Sequence, residues 1–121
     1  PGVVRQVAND PYGVGMCSIS YAFDDQTGRP SDGIALFPID TDNDGWISKD
    51  EQFYAFKQSL IKAIQDGRYP CPPARELYVV SKGRPQNAIV KAFLRFILEE
   101  GQQYSIPVGF IPVQRKNKTK Y

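Results

Sequence analysis

Residues 33 to 51 read GIALFPIDTDNDGWISKDE, and the fold turns on how this stretch is divided. Gly33 to Ile39 is a short apolar run bounded by Asp32-Gly33 and Asp40, which predicts a strand. Pro38 would break a helix there, so this run is not the entering helix of an EF-hand. From Asp40 the residues match the twelve-residue calcium loop. Asp40, Asp42 and Asp44 alternate so that a tight turn points three carboxylates inward, and Gly45 allows a bend that a Cβ would obstruct. Trp46 would offer its backbone carbonyl, Ser48 would act directly or through water, Glu51 would close the shell with two oxygens, and Ile47 would turn into the core. Ser48-x-x-Glu51 is also the S-x-x-E capping box, so a capped acidic turn is the alternative reading. The two readings differ in what neutralises three aspartates within five residues, because an ion-free turn suffers their mutual repulsion. The expectation is a single calcium ion with a structural role, held at a strand-to-helix corner.

On either side the pattern alternates between short apolar runs and helical stripes. Val3, Val4, Val7 and Ala8 recur at helical spacing and stop at Asn9-Asp10-Pro11. Val14 to Ser20 predicts a strand, and Asp24 to Asp32 a loop. Glu51 to Gln65 predicts a helix with Phe53, Phe56, Leu60, Ile61 and Ile64 on one face, stopped by Asp66-Gly67. Tyr69-Pro70-Cys71-Pro72-Pro73 predicts extended chain, followed by a strand over Glu76 to Ser81. Asn87 to Glu100 predicts a second helix closed by Gly101. Its wide stripe of Ile89, Val90, Phe93, Leu94, Ile97 and Leu98 suggests burial. Val108 to Val113 predicts a last, edge strand crossing Pro112.

Composition limits the chemistry. The 121 residues suit one domain or one lobe, and 41% apolar residues with 23% charge describe a folded chain. The absence of histidine removes the commonest general base, the Ser-His and Cys-His pairs and every His-containing zinc site. Cys17 and Cys71 form no C-x-x-C; a disulfide between them and two separate thiols are both open. Fifteen Lys and Arg against thirteen Asp and Glu give no basic field for nucleic acid. The one positive cluster, Arg115, Lys116, Lys118 and Lys120, reads as a solvated tail. No apolar run approaches the roughly 18–20 residues of a membrane helix. A start at Pro1-Gly2 without a leader suggests a processed chain or a segment of a longer one.

Several segments, in this order, resemble the C-terminal portion of phosphate ABC-transporter substrate-binding proteins. These are Asp10-Pro11-Tyr12-Gly13-Val14-Gly15-Met16, Phe37-Pro38-Ile39-Asp40 with its acidic loop, Tyr69 to Tyr78 (YPCPPARELY), Ser81-Lys82-Gly83-Arg84-Pro85, Phe93 to Tyr104 (FLRFILEEGQQY) and Val108 to Pro112 (VGFIP). The resemblance spans most of residues 3 to 113. It implies an α/β chain, the C-terminal part of a type II periplasmic-binding-protein fold. There a mixed sheet is flanked by helices and one EF-hand-like calcium loop lies between a strand and a helix. Residues 1–13 would end the second lobe, 14–113 would supply the last part of the first, and 114–121 would be a tail. The implied function is extracytoplasmic (periplasmic or cell-surface) capture of phosphate or a similar oxyanion for transport through an ABC transporter permease, with no catalytic residues.

In that family the anion is held by N-terminal segments that are not in this sequence, so the ligand-binding residues are unknown and a missing N-terminal lobe is an expected partner. Arg29, Ser31 and Arg75 are the available donors, each more in keeping with an ordinary loop or ion-pairing role. The alternative is a self-associating, calcium-stabilised interaction module, a homo-oligomer through its open apolar faces. Calcium-assisted hydrolysis at residues 40–51 is disfavoured, because a loop that wraps its ion leaves little room for substrate.

Overall fold

The computed structural model describes residues 2–113; the expected tail at 114–121, with its basic cluster, lies outside them. The chain divides into two compact units, residues 1–74 and 75–121.

In the first unit, α1 (Gly2–Asn9) ends where expected, with the Asp10 N–H donating to the Val7 carbonyl at 3.2 Å and the Asp10 side chain accepting the Tyr12 N–H at 2.9 Å. The short α2 (Ile19–Ala22) runs into a turn over residues 24–29. That turn is tied by Asp24, whose Oδ1 accepts the N–H groups of Gln26 and Thr27 and the Thr27 hydroxyl. These donors, the Thr27 amide first, hold the Asp24 carboxyl below its ordinary range. Across the turn Phe23 and Pro30 form an isolated antiparallel bridge.

The next regular helix, α3, covers Lys57–Gln65. Its end is a Schellman motif: the Arg68 N–H reaches the Ala63 carbonyl at 2.8 Å and the Gly67 N–H the Ile64 carbonyl at 3.1 Å, with Gly67 at φ +75°. The core gathers Ala22 and Phe23 from the turn with Phe53, Leu60 and Ala63, and Ile19, Leu36, Tyr54, Ile64 and Tyr69 pack around them. Phe53 stacks on Tyr54 at 4.8 Å between ring centroids and meets the edge of Tyr69 at 6.1 Å.

In the second unit α4 (Ala88–Leu98) begins at Asn87, whose Oδ1 accepts the N–H groups of Ile89 and Val90. Two 3-10 turns follow, Glu100–Tyr104 and Ile106–Val108. The Gln102 side chain joins them to their surroundings, donating to the Ile97 carbonyl at 2.6 Å and accepting the Val113 N–H at 2.8 Å.

The α/β expectation is overturned: no strand forms among the described residues, and the mixed sheet of a periplasmic-binding-protein fold is not present. An extended run becomes a strand only when a second run takes its N–H and C=O groups, and here those groups go elsewhere. In 14–20 the Ala22 N–H closes onto the Ser18 carbonyl and makes a helical turn. In 33–39 Leu36 packs on the core and the Ile39 N–H is taken by the Tyr54 hydroxyl at 3.2 Å. Residues 76–81 are exposed, and 106–108 coil into a 3-10 turn, with the Val108 N–H on the Ser105 carbonyl.

Three further expectations change. The helix begins at Lys57 rather than Glu51, because Phe56 is extended (φ −140°, ψ 143°) and the Lys57 N–H is drawn to the Gly28 carbonyl at 2.8 Å. The proline run closes into a turn, the Ala74 N–H meeting the Pro70 carbonyl at 3.2 Å, a geometry that a proline-set φ also suits. The apolar stripe of α4 contributes no buried residue.

Candidate metal centre

The acidic loop forms between two anchors. Before it, the Tyr54 hydroxyl grips the Ile39 N–H; after it, the Arg68 guanidinium donates to the Asp50 carbonyl at 3.3 Å while its Cζ lies 5.5 Å from the centre of the Phe53 ring. Both anchors come from the aromatic core, so the loop's ends are fixed by packing. Burial raises the Tyr54 phenol above its ordinary value, against the Ile39 N–H, which pulls it down.

Inside the loop, backbone N–H groups turn onto the aspartates. Asp40 Oδ1 accepts from Asn43 at 2.6 Å and from Asp44 at 3.3 Å, and its Oδ2 accepts from Gly45 at 2.8 Å. Asp42 Oδ1 accepts the Asp44 N–H at 3.2 Å, and Asp44 Oδ1 the Trp46 N–H at 2.8 Å. The bend passes through two left-handed residues, Asn43 at φ 61° and Gly45 at φ +86°.

The outcome is convergence: one carboxylate oxygen from each of Asp40, Asp42 and Asp44 lies within 4.8 Å of the others. Asp40 is half-buried, the other two exposed. Crowding shows in Asp42. Although the Asp44 N–H pulls its pKa down, desolvation and the charges of Asp44 and Glu51, with a hydrogen bond shared with Asp40, leave the carboxyl above its ordinary range.

Glu51 is placed differently. It is 4% exposed and stands outside the three-aspartate group. Its Oε1 accepts the Thr41 N–H at 2.6 Å and the Thr41 hydroxyl at 2.8 Å, and its Oε2 accepts the Ser48 N–H at 2.8 Å. These donors, the Thr41 amide first, hold the carboxyl down from 4.5 to about 2. Ser48 and Glu51 thus form the capping box, around the 3-10 turn Lys49–Glu51. Trp46 lies in the loop with its side chain 79% exposed, and Ile47, expected in the core, is only half-buried.

The loop and the capping box therefore coexist, joined by Thr41. Sequence reading missed Thr41 and Tyr54. Thr41 carries a hydroxyl next to the first aspartate and ten residues before its acceptor, so nothing local points to Glu51; Tyr54 has no signal beyond its aromatic neighbours Phe53 and Phe56.

In donor chemistry the aspartates fit a hard divalent cation: anionic oxygens, closely set and charge-crowded, with no sulfur or imidazole in the group. The oxyanion donors do not make a comparable set. The Arg29 Cζ lies 5.6 Å from the centre of the Phe56 ring, Ser31 Oγ donates to the Tyr21 carbonyl at 3.1 Å, and Arg75 belongs to the second unit. Cys17 and Cys71 are both exposed and unbonded. No helix among the described residues is long and apolar enough to cross a membrane. Comparison with protein-family models, with curated proteins and with solved structures found no match to this chain.

Proposed function

We propose that this chain is a non-catalytic, calcium-stabilised segment of an extracytoplasmic protein that binds phosphate or a similar oxyanion and passes it to an ABC transporter permease. The observation that carries the calcium part is the convergence of the Asp40, Asp42 and Asp44 carboxylates within 4.8 Å in a loop whose two ends are anchored to the core. Asp40, Asp42 and Asp44 would hold the ion with side-chain oxygens, Trp46 with its carbonyl, Ser48 directly or through water, and Glu51 from the closing position. Bound calcium supplies positive charge at a place where three carboxylates repel one another, and it fixes the corner between residues 33–39 and the aromatic core.

A structural role is supported by the convergence of three aspartate carboxylates within one loop whose ends are tied to the core. Millimolar extracellular calcium keeps even a weak site of this kind filled, which supports a location outside the cytoplasm. The oxyanion part rests on the ordered resemblance of segments between residues 3 and 113 to phosphate-binding proteins. In that reading the anion-holding groups lie in a separate N-terminal portion.

Isothermal titration tests both parts. One equivalent of calcium is expected to bind the metal-free chain, with affinity lost in Asp44→Ala, while inorganic phosphate gives no heat of binding at micromolar concentration. Silence toward calcium contradicts the first part. Micromolar phosphate affinity of this chain alone contradicts the assignment of the anion groups to another portion.

A further inference from the structure

We infer that Asp32-Gly33 is a spontaneous modification site, the Asp-Gly pair of this chain that rearranges to isoaspartate while the protein is folded. The sequence holds three such pairs, Asp32-Gly33, Asp44-Gly45 and Asp66-Gly67. In each the glycine offers an amide nitrogen with no Cβ beside it, the least hindered nucleophile that can follow an aspartate. Every other aspartate is followed by a residue with a side chain, and Asp10 by Pro11, which has no N–H.

The rearrangement uses only water. The glycine nitrogen loses its proton and attacks Cγ of the aspartate; the protonated carboxyl releases one oxygen as water, and a succinimide ring closes. Water then opens the ring at either carbonyl. Opening at the Cγ carbonyl restores aspartate, and opening at the main-chain carbonyl leaves the chain running through Cβ and Cγ. The water released is the water taken up, so the mass is unchanged. The fold must supply an N–H that can lose its proton and a carboxyl that can turn onto that nitrogen.

Two of the pairs are held back by hydrogen bonds. The Gly45 N–H donates to Asp40 Oδ2 at 2.8 Å, where a deprotonated nitrogen would face a carboxylate, and the Asp44 carboxylate is engaged by the Trp46 N–H at 2.8 Å. The Gly67 N–H donates to the Ile64 carbonyl at 3.1 Å in the cap of α3, and the Asp66 carboxylate lies 3.7 Å from the Arg68 guanidinium. Asp32 and Gly33 are both exposed. They are the central residues of a turn closed by the Ile34 N–H on the Ser31 carbonyl at 3.3 Å, with Gly33 left-handed at φ +78°. Among the described residues the Gly33 N–H and the Asp32 carboxylate have no hydrogen-bonding partner. Isoaspartate would add a main-chain carbon inside this turn, separating Ser31 from Ile34 and opening the bond between them.

The test holds the full chain for weeks in warm, neutral buffer with a chelator, so that bound metal protects none of the pairs. It is then digested with an endoproteinase that cuts before aspartate but not before isoaspartate. Cleavage between Ser31 and Asp32 is expected to be lost about fivefold faster than cleavage before Asp44 or Asp66, whose glycine N–H groups must first give up a hydrogen bond. In denaturant the three junctions are expected to decline together, since each is then an Asp-Gly pair in open chain. A methyltransferase that esterifies isoaspartyl carboxyls reads the same product by a second route. Asp32→Glu, which keeps the charge and disfavours ring closure, should remove most of that label from the aged folded chain. Equal or faster loss before Asp44 or Asp66 in the folded chain overturns the selection of Asp32. An intact junction at Asp32 over a period in which the denatured chain isomerises overturns the site itself.

Discussion

Glu51 and Asp42 sit in one loop and answer to pH in opposite directions. The Glu51 carboxyl is held at about 2 against an ordinary 4.5 by Thr41 and Ser48. A lowered carboxyl stabilises the folded state above its ordinary value, and that contribution is lost as pH falls from about 4.5 through about 2. Thermal melts of metal-free protein across this range should show an acid decline, and Glu51→Gln should flatten it. Asp42 is shifted up, so its ionisation weighs against the folded loop as pH rises past its ordinary 3.8. Asp42→Asn is therefore expected to raise the melting temperature of the metal-free chain at neutral pH and to diminish the rise that calcium produces; a loss of stability in both conditions would contradict this account. Gly45 tests backbone conformation alone. At φ +86° a Cβ would meet nothing within 4 Å, so Gly45→Ala adds no clash and costs about 1–2 kcal/mol of left-handed strain, measurable by denaturant unfolding.

Among the elements, those set by neighbours in sequence are the ones that were legible. α1 stops at Asn9-Asp10-Pro11, α3 stops at Asp66-Gly67, and α4 starts at Asn87, each through a cap built from adjacent residues. Asn87→Ala should cost about 1 kcal/mol and reduce helicity by circular dichroism, because two N–H groups lose their acceptor. The start of α3 was not legible, since it depends on Gly28, twenty-nine residues upstream of Lys57, and on the 2.6 Å ion pair between Lys57 and Asp25. The predicted strands failed for the same reason on a larger scale: alternation marks a segment that could pair, and pairing depends on a distant partner that periodicity does not reveal. In the loop, the alternating aspartates and the bend at Gly45 could be read directly, whereas the Thr41 clamp on Glu51 and the Tyr54 grip on Ile39 arise only once the loop has closed on the core. Removing that grip with Tyr54→Phe leaves the Ile39 N–H without its acceptor, and should lower calcium affinity about fivefold, corresponding to about 1 kcal/mol.

For the whole molecule, what matters is how little apolar surface is enclosed. Six apolar residues are buried among those described, while large side chains such as Phe37, Tyr78, Val80 and Ile89 are exposed. A core of this size leaves stability sensitive to any ligand that binds only the folded state, by RT ln(1 + [L]/Kd). Calcium at about a hundred times its Kd would add about 2.7 kcal/mol, a large share of the stability of a small domain. The loop is placed to deliver that effect, because its ends are joined to the Phe53, Tyr54 and Tyr69 cluster. Trp46, the only tryptophan, lies inside the loop and serves as its own reporter. The most direct measurement is therefore a calcium titration of metal-stripped protein followed by Trp46 fluorescence. The account predicts a saturable change, accompanied by a higher melting temperature and abolished by Asp40→Ala; an unchanged signal up to several millimolar calcium would contradict it and leave the loop a capped acidic turn.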